Sequence, residues 1–422
     1  MANNILPGYI IHGGAERRLF YLPLDFDKTL YIICRKIIKH GMEKMSKKIK
    51  TKNISAVIIS AAAVLFALNS TSINAQNKMA VSDTAKADTT AIPVVQPPMI
   101  DSFTVLPESA LTTTNISCTV TKTTDFQDKP VNVIYSWLVD SKPFAALYLP
   151  FDTQTKAGSD IVKDYSGNNR DCKLGLSAPY CKPGENYPAW VNDGKIGGAV
   201  RFDGNGLPGM QNKCLNDYIQ VDDTTMDFTK QFTFAMWYKA SGFPGEFNFL
   251  VSKEGTVLLR FHPQYDYCLH GYVTSAIQLE NIASTKCIFS EAEIGKWHHL
   301  AFTYDGKQLA LYIDGEVDAT KPYDKVLDTH ESFFHIGAHG AVVPAYDGTY
   351  GINGTLDEFY AFEIGLSAEQ IHELYLEGMP GHSGSTIVRQ QLSPGQTWTC
   401  RMIPNDSFQD GPAREAIIPV GR

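Results

Sequence analysis

The sequence lacks a hydrophobic run long enough to span a bilayer comfortably. Its most apolar stretch, residues 54–68, follows a lysine-rich segment and precedes Ile73-Asn74-Ala75. A basic region, a short apolar core and a small residue at the cut site are typical of a secretory signal peptide. We predict a signal peptide at 42–75, preceded by an extension at 1–41 outside the fold. The mature chain is then secreted or displayed on the cell surface and has no transmembrane segment; an uncleaved amphipathic anchor is the alternative.

Positive charge is scarce after residue 75. Residues 1–75 hold 11 of the 37 Lys and Arg but only 4 of the 45 Asp and Glu, so the rest of the chain carries about 15 net negative charges. Nucleic-acid binding depends on cations that displace phosphate counterions, and we therefore expect no nucleic-acid partner. A surplus of carboxylates favours solubility or a bound divalent cation instead.

The sequence also lacks any Cys-x-x-Cys pair, which argues against a zinc or dithiol redox motif. Seven of the eight cysteines follow the signal peptide, and outside the cytosol we expect them to form disulfides. No Gly-x-Ser-x-Gly elbow is present to position a nucleophilic serine.

What the chain does contain is a sandwich pattern divided between its two ends. Cys118 and Tyr135-Ser136-Trp137 lie near the front, and Trp398-Thr399-Cys400 lies near the back. A cysteine, a tryptophan about twenty residues later and a second cysteine form the core cluster of immunoglobulin-type sandwiches. After a flexible linker at 76–99, we therefore predict one discontinuous immunoglobulin-like domain from 100–145 plus 383–422. Trp398 stands where such domains often have a corner tyrosine, so that corner hydrogen bond is not expected.

From this arrangement we predict three disulfides: Cys118–Cys400, Cys268–Cys287 and Cys172–Cys181. Cys214 is left over, and it is also an alternative partner of Cys172 that the sequence does not exclude.

The inserted segment, 146–382, is rich in short alternating strands. Phe232, Phe234, Met236 and Tyr238 alternate with smaller or polar residues, and Asp305-Gly306 predicts a tight hairpin. Many short strands at regular spacing indicate a double-sheet jelly roll. One short helix closes the segment, with Ser367 as its N-cap, Gln370 completing a capping box and Gly378 at its end.

Several motifs of this segment resemble one family, in the family's order. They are Tyr148-Leu149-Pro150-Phe151-Asp152, Gly197-Gly198-Ala199-Val200-Arg201-Phe202-Asp203-Gly204, Trp297-His298-His299-Leu300, Leu311-Tyr312-Ile313-Asp314-Gly315 and Gly354-Thr355-Leu356-Asp357-Glu358-Phe359. The segment is similar to the laminin-G-like jelly roll of the concanavalin A-like lectin/glucanase superfamily. The predicted fold is thus all-β: a concanavalin A-like jelly-roll sandwich inserted into an immunoglobulin-like β-sandwich, with one short helix at the C-terminal end of the jelly roll.

The resemblance raises the possibility of glycoside hydrolysis, which needs two carboxyl groups on either side of one bond. Glucanases of this fold carry alternating acids on one strand, whereas Asp357 and Glu358 are neighbours whose side chains point to opposite faces. His298 and His299 are neighbours too, so we expect one in the core and one in solvent rather than a metal pair. We therefore predict that the protein is not an enzyme.

Jelly rolls of this superfamily often hold a structural calcium ion. The matching positions imply Asp152, Asp203 and Asp357 as ligands, and calcium is the one cofactor that we expect. A simple turn at Asp203 and a backbone cap at Asp357 are the alternative roles of these residues.

Ligand recognition is expected on loops at the rim of the jelly roll. Two loop clusters combine aromatic rings with polar groups, and from them we select Tyr265, Tyr267, Tyr346, Asp347 and Tyr350. The sequence predicts a monomeric, non-catalytic adhesion or binding protein that recognises a glycan or an extracellular protein. An accessory or degenerate carbohydrate-active enzyme, or a purely structural envelope module, is the alternative.

Overall fold

The computed structural model describes residues 96–154, 159–175, 188–204, 217–243, 248–262, 267–275, 278–287, 292–339 and 351–421. The predicted extension and signal peptide, and the predicted linker up to residue 95, lie outside these ranges. The described part contains one α-helix, one 3₁₀ turn at Arg389–Gln391, and strands throughout. No helix within it is long and apolar enough to span a bilayer.

The strands follow one another as β1 (Met99–Leu106), β2 (Ile116–Thr124), β3 (Asn132–Val139), β4 (Lys142–Pro143), β5 (Leu147–Leu149), β6 (Ile161–Val162), β7 (Cys172–Leu174), β8 (Ala189–Val191), β9 (Ala199–Asp203), β10 (Ile219–Val221), β11 (Phe232–Gly242), β12 (Asn248–Lys253), β13 (Val257–His262), β14 (Cys268–Ser275), β15 (Gln278–Ala283), β16 (Trp297–Tyr304), β17 (Gln308–Ile313), β18 (Glu316–Pro322), β19 (Phe334–Ile336), β20 (Asn353–Phe362), β21 (Thr386–Ile387), β22 (Thr397–Asn405) and β23 (Arg414–Pro419). Helix α1 (Ala368–Gly378) lies between β20 and β21.

Two large antiparallel sheets form the jelly roll. The sheet that we call the front sheet has the strand order β15-β14-β13-β12-β19-β10-β7-β6. The back sheet has the order β18-β17-β16-β11-β20-β9-β8, and β5 pairs with β20. One apolar core lies between them and takes side chains from both sheets. The predicted all-β jelly roll is confirmed.

Strand β11 shows why these residues form a sheet. Phe232, Phe234 and Met236 point into the core between the sheets. Ala235 points the opposite way, into a second apolar cluster outside the back sheet. Because alternate residues of a strand face opposite sides, the apolar character of both sets places β11 in the middle of a sheet that is covered on both faces.

The hairpin predicted at Asp305-Gly306 is present between β16 and β17. Gly306 has a φ of +87°, a backbone conformation that glycine adopts without strain. The Asp305 carboxylate accepts hydrogen bonds from the backbone N–H groups of Lys307 and Gln308 at 2.8 and 2.7 Å. The turn residues therefore determine the hairpin locally.

Strands from both ends of the described chain form a third structure, which we call the small sandwich. One of its sheets is β1-β2-β21, and the other is β23-β22-β3-β4. Cys118 of β2 and Cys400 of β22 form a disulfide between the two sheets. Trp137 and Trp398 pack beside it in an edge-to-face contact, with ring centroids 6.3 Å apart. The assignment of this sandwich to the immunoglobulin type stays a prediction.

The small sandwich and the jelly roll share an apolar cluster. Ile134 of the small sandwich lies in it together with Tyr148 and Tyr360 of the jelly roll and Ile371 of helix α1. Polar contacts cross the same boundary: Ser383 Oγ donates to Val133 O at 3.0 Å. The outer face of the back sheet is therefore covered by the helix and the small sandwich.

Helix α1 begins as predicted and departs from prediction at one residue. Ser367 caps it by accepting a hydrogen bond from Gln370 N at 3.2 Å. The Gln370 side chain does not complete a capping box. Instead its Nε2 donates to Thr386 O at 3.1 Å and its Oε1 accepts from Val388 N at 2.9 Å. Gln370 thus fastens the helix to the chain that returns to the small sandwich.

Candidate functional site

The outer face of the front sheet carries an unusual set of side chains for a strand face. In β13, Val257, Leu259 and Phe261 point into the jelly-roll core. The alternate residues of the strand, which include Arg260 and His262, therefore point away from it. A guanidinium and an imidazole are thus placed on the sheet face that lies opposite the small sandwich.

Five residues of three adjacent strands form what we call the ring–cation cluster: Phe249 of β12, Arg260 and His262 of β13, and His270 and Tyr272 of β14. Strand register brings them together, because Arg260 pairs with Phe249 on one side and with His270 on the other. The Arg260 guanidinium carbon lies 4.5 Å from the Tyr272 ring centroid and 5.3 Å from that of Phe249. Its Nη2 donates to the Tyr272 hydroxyl at 3.0 Å.

The cluster holds one fixed positive charge and two neutral imidazoles. Burial, with smaller contributions from the nearby His262 and Arg260, lowers the pKa of His270 to about 4. Burial also lowers the pKa of His262, again with a contribution from Arg260. Both rings are therefore neutral at pH 7, and a neutral imidazole has one donor and one acceptor nitrogen. Arg260 is half-buried and the other four members are buried, so a ligand would meet the guanidinium first.

More histidines flank the cluster on the same sheet. The ring of His339 contacts that of Phe249, with centroids 4.6 Å apart, and its Nε2 lies 2.8 Å from Glu254 Oε2. His335 of β19 lies 3.3 Å from the Gln220 side-chain oxygen, and burial lowers its pKa to about 4. The polar, aromatic character of the face thus extends beyond the cluster.

The predicted ligand-binding residues belong to two segments that are continuous with this face. Residues 263–266 follow His262, and residues 340–350 follow His339. Tyr267 closes the first connection, since its N–H donates to His262 O at 3.1 Å, and its ring stacks on Phe243 with centroids 4.3 Å apart. The other four predicted residues, Tyr265, Tyr346, Asp347 and Tyr350, lie outside the described residues.

The predicted calcium ligands do not surround one point. Asp152 and Asp357 both hold the loop before β9: Asp152 Oδ1 accepts from Gly198 N at 3.1 Å, and Asp357 Oδ2 accepts from Ile196 N at 2.9 Å. Asp203 is exposed at the far end of β9 and pairs with Asn353. Asn353 is four residues from Asp357, a separation of about 13 Å along the strand.

The grouping of these three aspartates is therefore wrong, because Asp203 belongs to the other end of the sheet. Within the described ranges, no group of three or more His, Cys, Asp or Glu side chains is placed to hold a metal ion.

Asp152 and Asp357 belong to a buried acidic network together with Glu358. Glu358 follows Asp357, has a φ of +49°, and is buried beside the stacked rings of Tyr148 and Tyr360. Both tyrosine hydroxyls donate to Glu358 Oε2, at 2.9 and 3.0 Å. Its Oε1 and the Oδ2 of Asp152 are buried without a hydrogen-bond partner among the described residues.

Burial determines the protonation of this network. Burial raises the pKa of Asp152 to about 7, although the hydrogen bonds from Gly198 and Asn132 act to lower that pKa. Burial, followed by the charge of Asp152, raises the pKa of Glu358 to about 8. Burial also raises the pKa of Asp357, and its two acidic neighbours add to the effect. At pH 7 the Asp152 carboxyl is therefore about half protonated, and Glu358 is largely protonated.

The cysteines follow the sequence prediction in two of three bonds. Cys118 bonds to Cys400, and Cys268 at the start of β14 bonds to Cys287 beyond β15. The expected Cys172–Cys181 bond is corrected: Cys172 is a free, buried thiol whose Sγ donates to Arg170 O at 3.2 Å. Cys181 and Cys214 lie outside the described residues.

The histidine pair on β16 also differs from expectation. His299 is buried as predicted for one of the two, and burial lowers its pKa to about 4. His298, expected in solvent, is buried as well, with its Nδ1 2.9 Å from Asp314 Oδ2 and its Nε2 3.4 Å from Glu293 Oε2. These two carboxylates come from other segments, which is why the strand pattern alone did not reveal them.

The sequence analysis missed the ring–cation cluster. A signal was present in β13, where Arg260 and His262 interrupt an otherwise apolar strand. Their partners come from neighbouring strands, and the register that joins them is not visible in the sequence.

Comparison with known proteins found one family model that matches part of the jelly roll. Residues 212–372 match the Laminin_G_3 family model, described as the concanavalin A-like lectin/glucanases superfamily. This agrees with the predicted resemblance and covers the jelly roll from the segment before β10 into helix α1. No curated protein matches the chain.

Several solved structures are similar to part of the chain at low identity. The binding domain of Paraclostridial Mosquitocidal Protein 1 is 16% identical, with a TM-score of 0.38 over 58% of this chain and 52% of that one. A second match is domain 4 of AbnA, a GH43 extracellular arabinanase from Geobacillus stearothermophilus, in complex with arabinotriose. It is 19% identical, with a TM-score of 0.39 over 54% of this chain and 96% of that one. The receptor binding domain of botulinum neurotoxin D is 15% identical, with a TM-score of 0.38 over 56% of this chain and 52% of that one. The chain thus spans about half the length of the two toxin domains, and the likeness is too distant to assign a ligand.

Proposed function

We propose, from the position of this jelly roll in the concanavalin A-like lectin/glucanases superfamily, that the protein is an exported, non-catalytic binding protein. Its ligand is a glycan, bound on the outer face of the front sheet at the ring–cation cluster. Export is inferred from the predicted signal peptide, and the disulfides Cys118–Cys400 and Cys268–Cys287 are compatible with an oxidising compartment.

One observation carries the proposal: the Arg260 guanidinium lies between two aromatic rings and beside two neutral imidazoles. Sugars present apolar ring faces and a periphery of hydroxyl groups. Aromatic rings bind the apolar faces of the sugar. The guanidinium donates hydrogen bonds to the hydroxyl groups, and neutral histidines both donate to them and accept from them. Arg260 is held in place by Tyr272 and Phe249, so little side-chain freedom is lost on binding.

The position of the cluster supports the same function. The outer face of the back sheet is covered by helix α1 and the small sandwich. The cluster lies on the opposite sheet, whose strands β13 and β19 precede in sequence the segments in which the rim loops were predicted. A ligand bound there would not disturb the junction between the two domains.

The alternative of an active or degenerate hydrolase receives less support. The acids that it would use, Asp357 and Glu358, are 0% and 4% exposed and lie in the back sheet beneath the small sandwich. Three of their four carboxylate oxygens accept hydrogen bonds from backbone N–H groups or tyrosine hydroxyls. A substrate on the front sheet would not reach them.

The test is a glycan and matrix-protein array probed with the full chain, in calcium and in chelator. We expect glycan hits that weaken at least about tenfold in Arg260→Ala, corresponding to roughly 1.4 kcal/mol of lost binding. Arg414→Ala is the matched control, because Arg414 is exposed on the small sandwich. Glycan hits that Arg260→Ala leaves unchanged, or hits to matrix proteins alone, would contradict the proposal. Loss of binding in chelator would support the calcium expectation at a site other than the three aspartates together.

A further inference from the structure

The small sandwich has an open edge on one side. Strand β1 is the end strand of its sheet and, among the described strands, pairs with β2 alone. Strand β23 is the end strand of the facing sheet. A groove of about 490 Å³ lies between the two end strands and is lined by residues 103–106 of β1 and by Ala416 and Ile417 of β23. The backbone groups of such an edge are a template on which another strand can pair.

The register of β1 shows which of its backbone groups face the groove. Phe103 of β1 lies opposite Val120 of β2. Two residues further along, Val105 lies opposite Cys118. The N–H of Val120 donates to a tyrosine hydroxyl of β3 at 3.1 Å, and that of Cys118 donates to a backbone oxygen just before β21 at 3.0 Å. Both N–H groups thus point away from β1. Because opposite residues of an antiparallel pair exchange either two hydrogen bonds or none, the N–H and C=O groups of Phe103 and Val105 point to the open edge.

The groove offers an apolar surface beside these backbone groups. Phe103, Val105 and Ala416 are half-buried and pack against the core of the small sandwich. At the rim, the side chains of Leu106 and Ile417 are 67% and 68% exposed. Side chains directly opposite each other in a strand pair share one face of the sheet. A strand that bonds to the edge of β1 therefore directs every second side chain into the groove, where apolar residues extend the core.

The two ends of the groove carry opposite charges. The Arg414 guanidinium carbon lies 5.6 Å from the Phe103 ring centroid at one end. Glu108 lines the other end, where the chain crosses towards β23 and Ala110 N donates to Pro419 O at 3.0 Å. An antiparallel strand added to β1 has its N-terminal end near Glu108 and its C-terminal end near Arg414. A cation at the first end and an acid at the second each meet the opposite charge, and such exposed pairs determine orientation more than affinity.

We propose that this edge binds an extended segment of another polypeptide as an added antiparallel strand. The segment has apolar residues at alternate positions, a cation at its N-terminal end and an acid at its C-terminal end. Main-chain hydrogen bonds to Phe103 and Val105 supply affinity, and the groove selects the alternate side chains. A second copy of this chain fits less well, because its own Phe103 and Val105 already pack against its own core. The open stretch, residues 103–106, is also only about 13 Å long, which is short for the roughly 800 Å² per partner of a stable dimer.

The test uses a synthetic peptide with blocked termini, Lys-Val-Thr-Val-Thr-Val-Glu, which carries a fluorescent label and is titrated with the full chain. Fluorescence anisotropy measures the binding. The peptide Glu-Val-Thr-Val-Thr-Val-Lys has the same composition with its charges exchanged and is the matched control. We expect saturable binding of the first peptide, at least about threefold tighter than that of the second, because two exposed charge pairs change sign between them.

Two variants locate the binding. Val105→Pro removes an N–H that points to the groove and leaves the hydrogen bonds between β1 and β2 in place, so it should weaken the first peptide about tenfold with little change in melting temperature. Glu108→Lys/Arg414→Glu exchanges two exposed charges and should reverse the preference between the two peptides. Arg260→Ala, on the front sheet of the jelly roll, is the control and should leave peptide binding unchanged.

Equal binding of the two peptides, or no saturable binding up to about 1 mM, would overturn the proposal. Binding that both variants leave unchanged would overturn it as well. Self-association of the chain without peptide, abolished by Val105→Pro, would show that a second copy occupies the edge and would also contradict the proposal. Glycan binding is measured with Arg260→Ala and peptide binding with the edge variants, so failure of either proposal leaves the other standing.

Discussion

The free energy of unfolding should fall as the pH rises from about 5 to 7, and Asp152 is the residue that allows this to be measured. Its pKa is about 7 in the folded protein against an ordinary value of 3.8, because the carboxyl is buried. One pKa unit corresponds to about 1.4 kcal/mol, so ionising this carboxyl costs about 4 kcal/mol more in the folded than in the unfolded chain. Since the folded pKa is the higher one, the stabilisation is complete below about pH 4 and is lost as the pH passes 7.

Asp152→Asn removes this titration while keeping the shape of the side chain. The difference in unfolding free energy between the variant and wild type should grow by about 2 kcal/mol in favour of the variant between pH 5 and pH 7, because the slope of about 1.4 kcal/mol per pH unit flattens as the pH nears the folded pKa. Removal of the Asp152 charge also lowers the pKa of Glu358, which acts in the same direction. Denaturant unfolding at several pH values measures the difference.

Asp101→Asn is the matched control. Asp101 is exposed, and hydrogen bonds from Thr124 and Lys122 lower its pKa, so it is ionised in both states throughout this pH range. Its curve should run parallel to that of wild type. If the Asp152→Asn curve runs parallel as well, Asp152 keeps the same charge in both states and the account of the buried network is wrong.

Two further predictions concern stability alone. Replacing both Cys118 and Cys400 by Ala should lower the free energy of unfolding by up to about 5 kcal/mol, because the disulfide closes a loop of 282 residues. Denaturant unfolding with and without reductant measures this loss. A variant as stable as oxidised wild type would refute the prediction. Gly271→Ala should cost about 1–3 kcal/mol, because its Cβ would lie 2.5 Å from the Phe302 ring in the jelly-roll core. Gly242→Ala is the control, because its Cβ would make an ordinary contact with Asn353 Nδ2 at 3.4 Å. Equal melting temperatures for the Gly271→Ala and Gly242→Ala variants would contradict the packing argument.

Features that depend on neighbouring residues could be predicted from the sequence. The Asp305-Gly306 hairpin, the Ser367 N-cap and the alternation of β11 each follow from local chemistry, and the structure contains all three. The Cys118–Cys400 bond spans 282 residues, yet it was predictable because the cysteine and tryptophan spacing of a sandwich core indicated its two halves.

Features that depend on pairing between distant strands could not be predicted. Phe249, Arg260 and Tyr272 lie on three strands, and their contact requires a register that no local pattern specifies. The predicted grouping of the three calcium ligands failed for a related reason. Matching motifs identify positions along strands, and Asp203 and Asp357 lie at different ends of two paired strands. The positive φ of Glu358 lies at an irregularity in the β11–β20 pairing, which the sequence Asp357-Glu358 does not reveal.

The cover on the back sheet has a physical consequence for where a ligand can bind. The back sheet presents small and aromatic side chains outward, among them Ala235, Ala301 and Tyr360, and these are buried by helix α1 and the small sandwich. The chain crosses between the two domains twice, and Gln370 and Ser383 add hydrogen bonds at the return crossing. Ligand recognition is therefore expected on the front sheet, where the outward-facing side chains are charged, polar and aromatic rather than purely apolar.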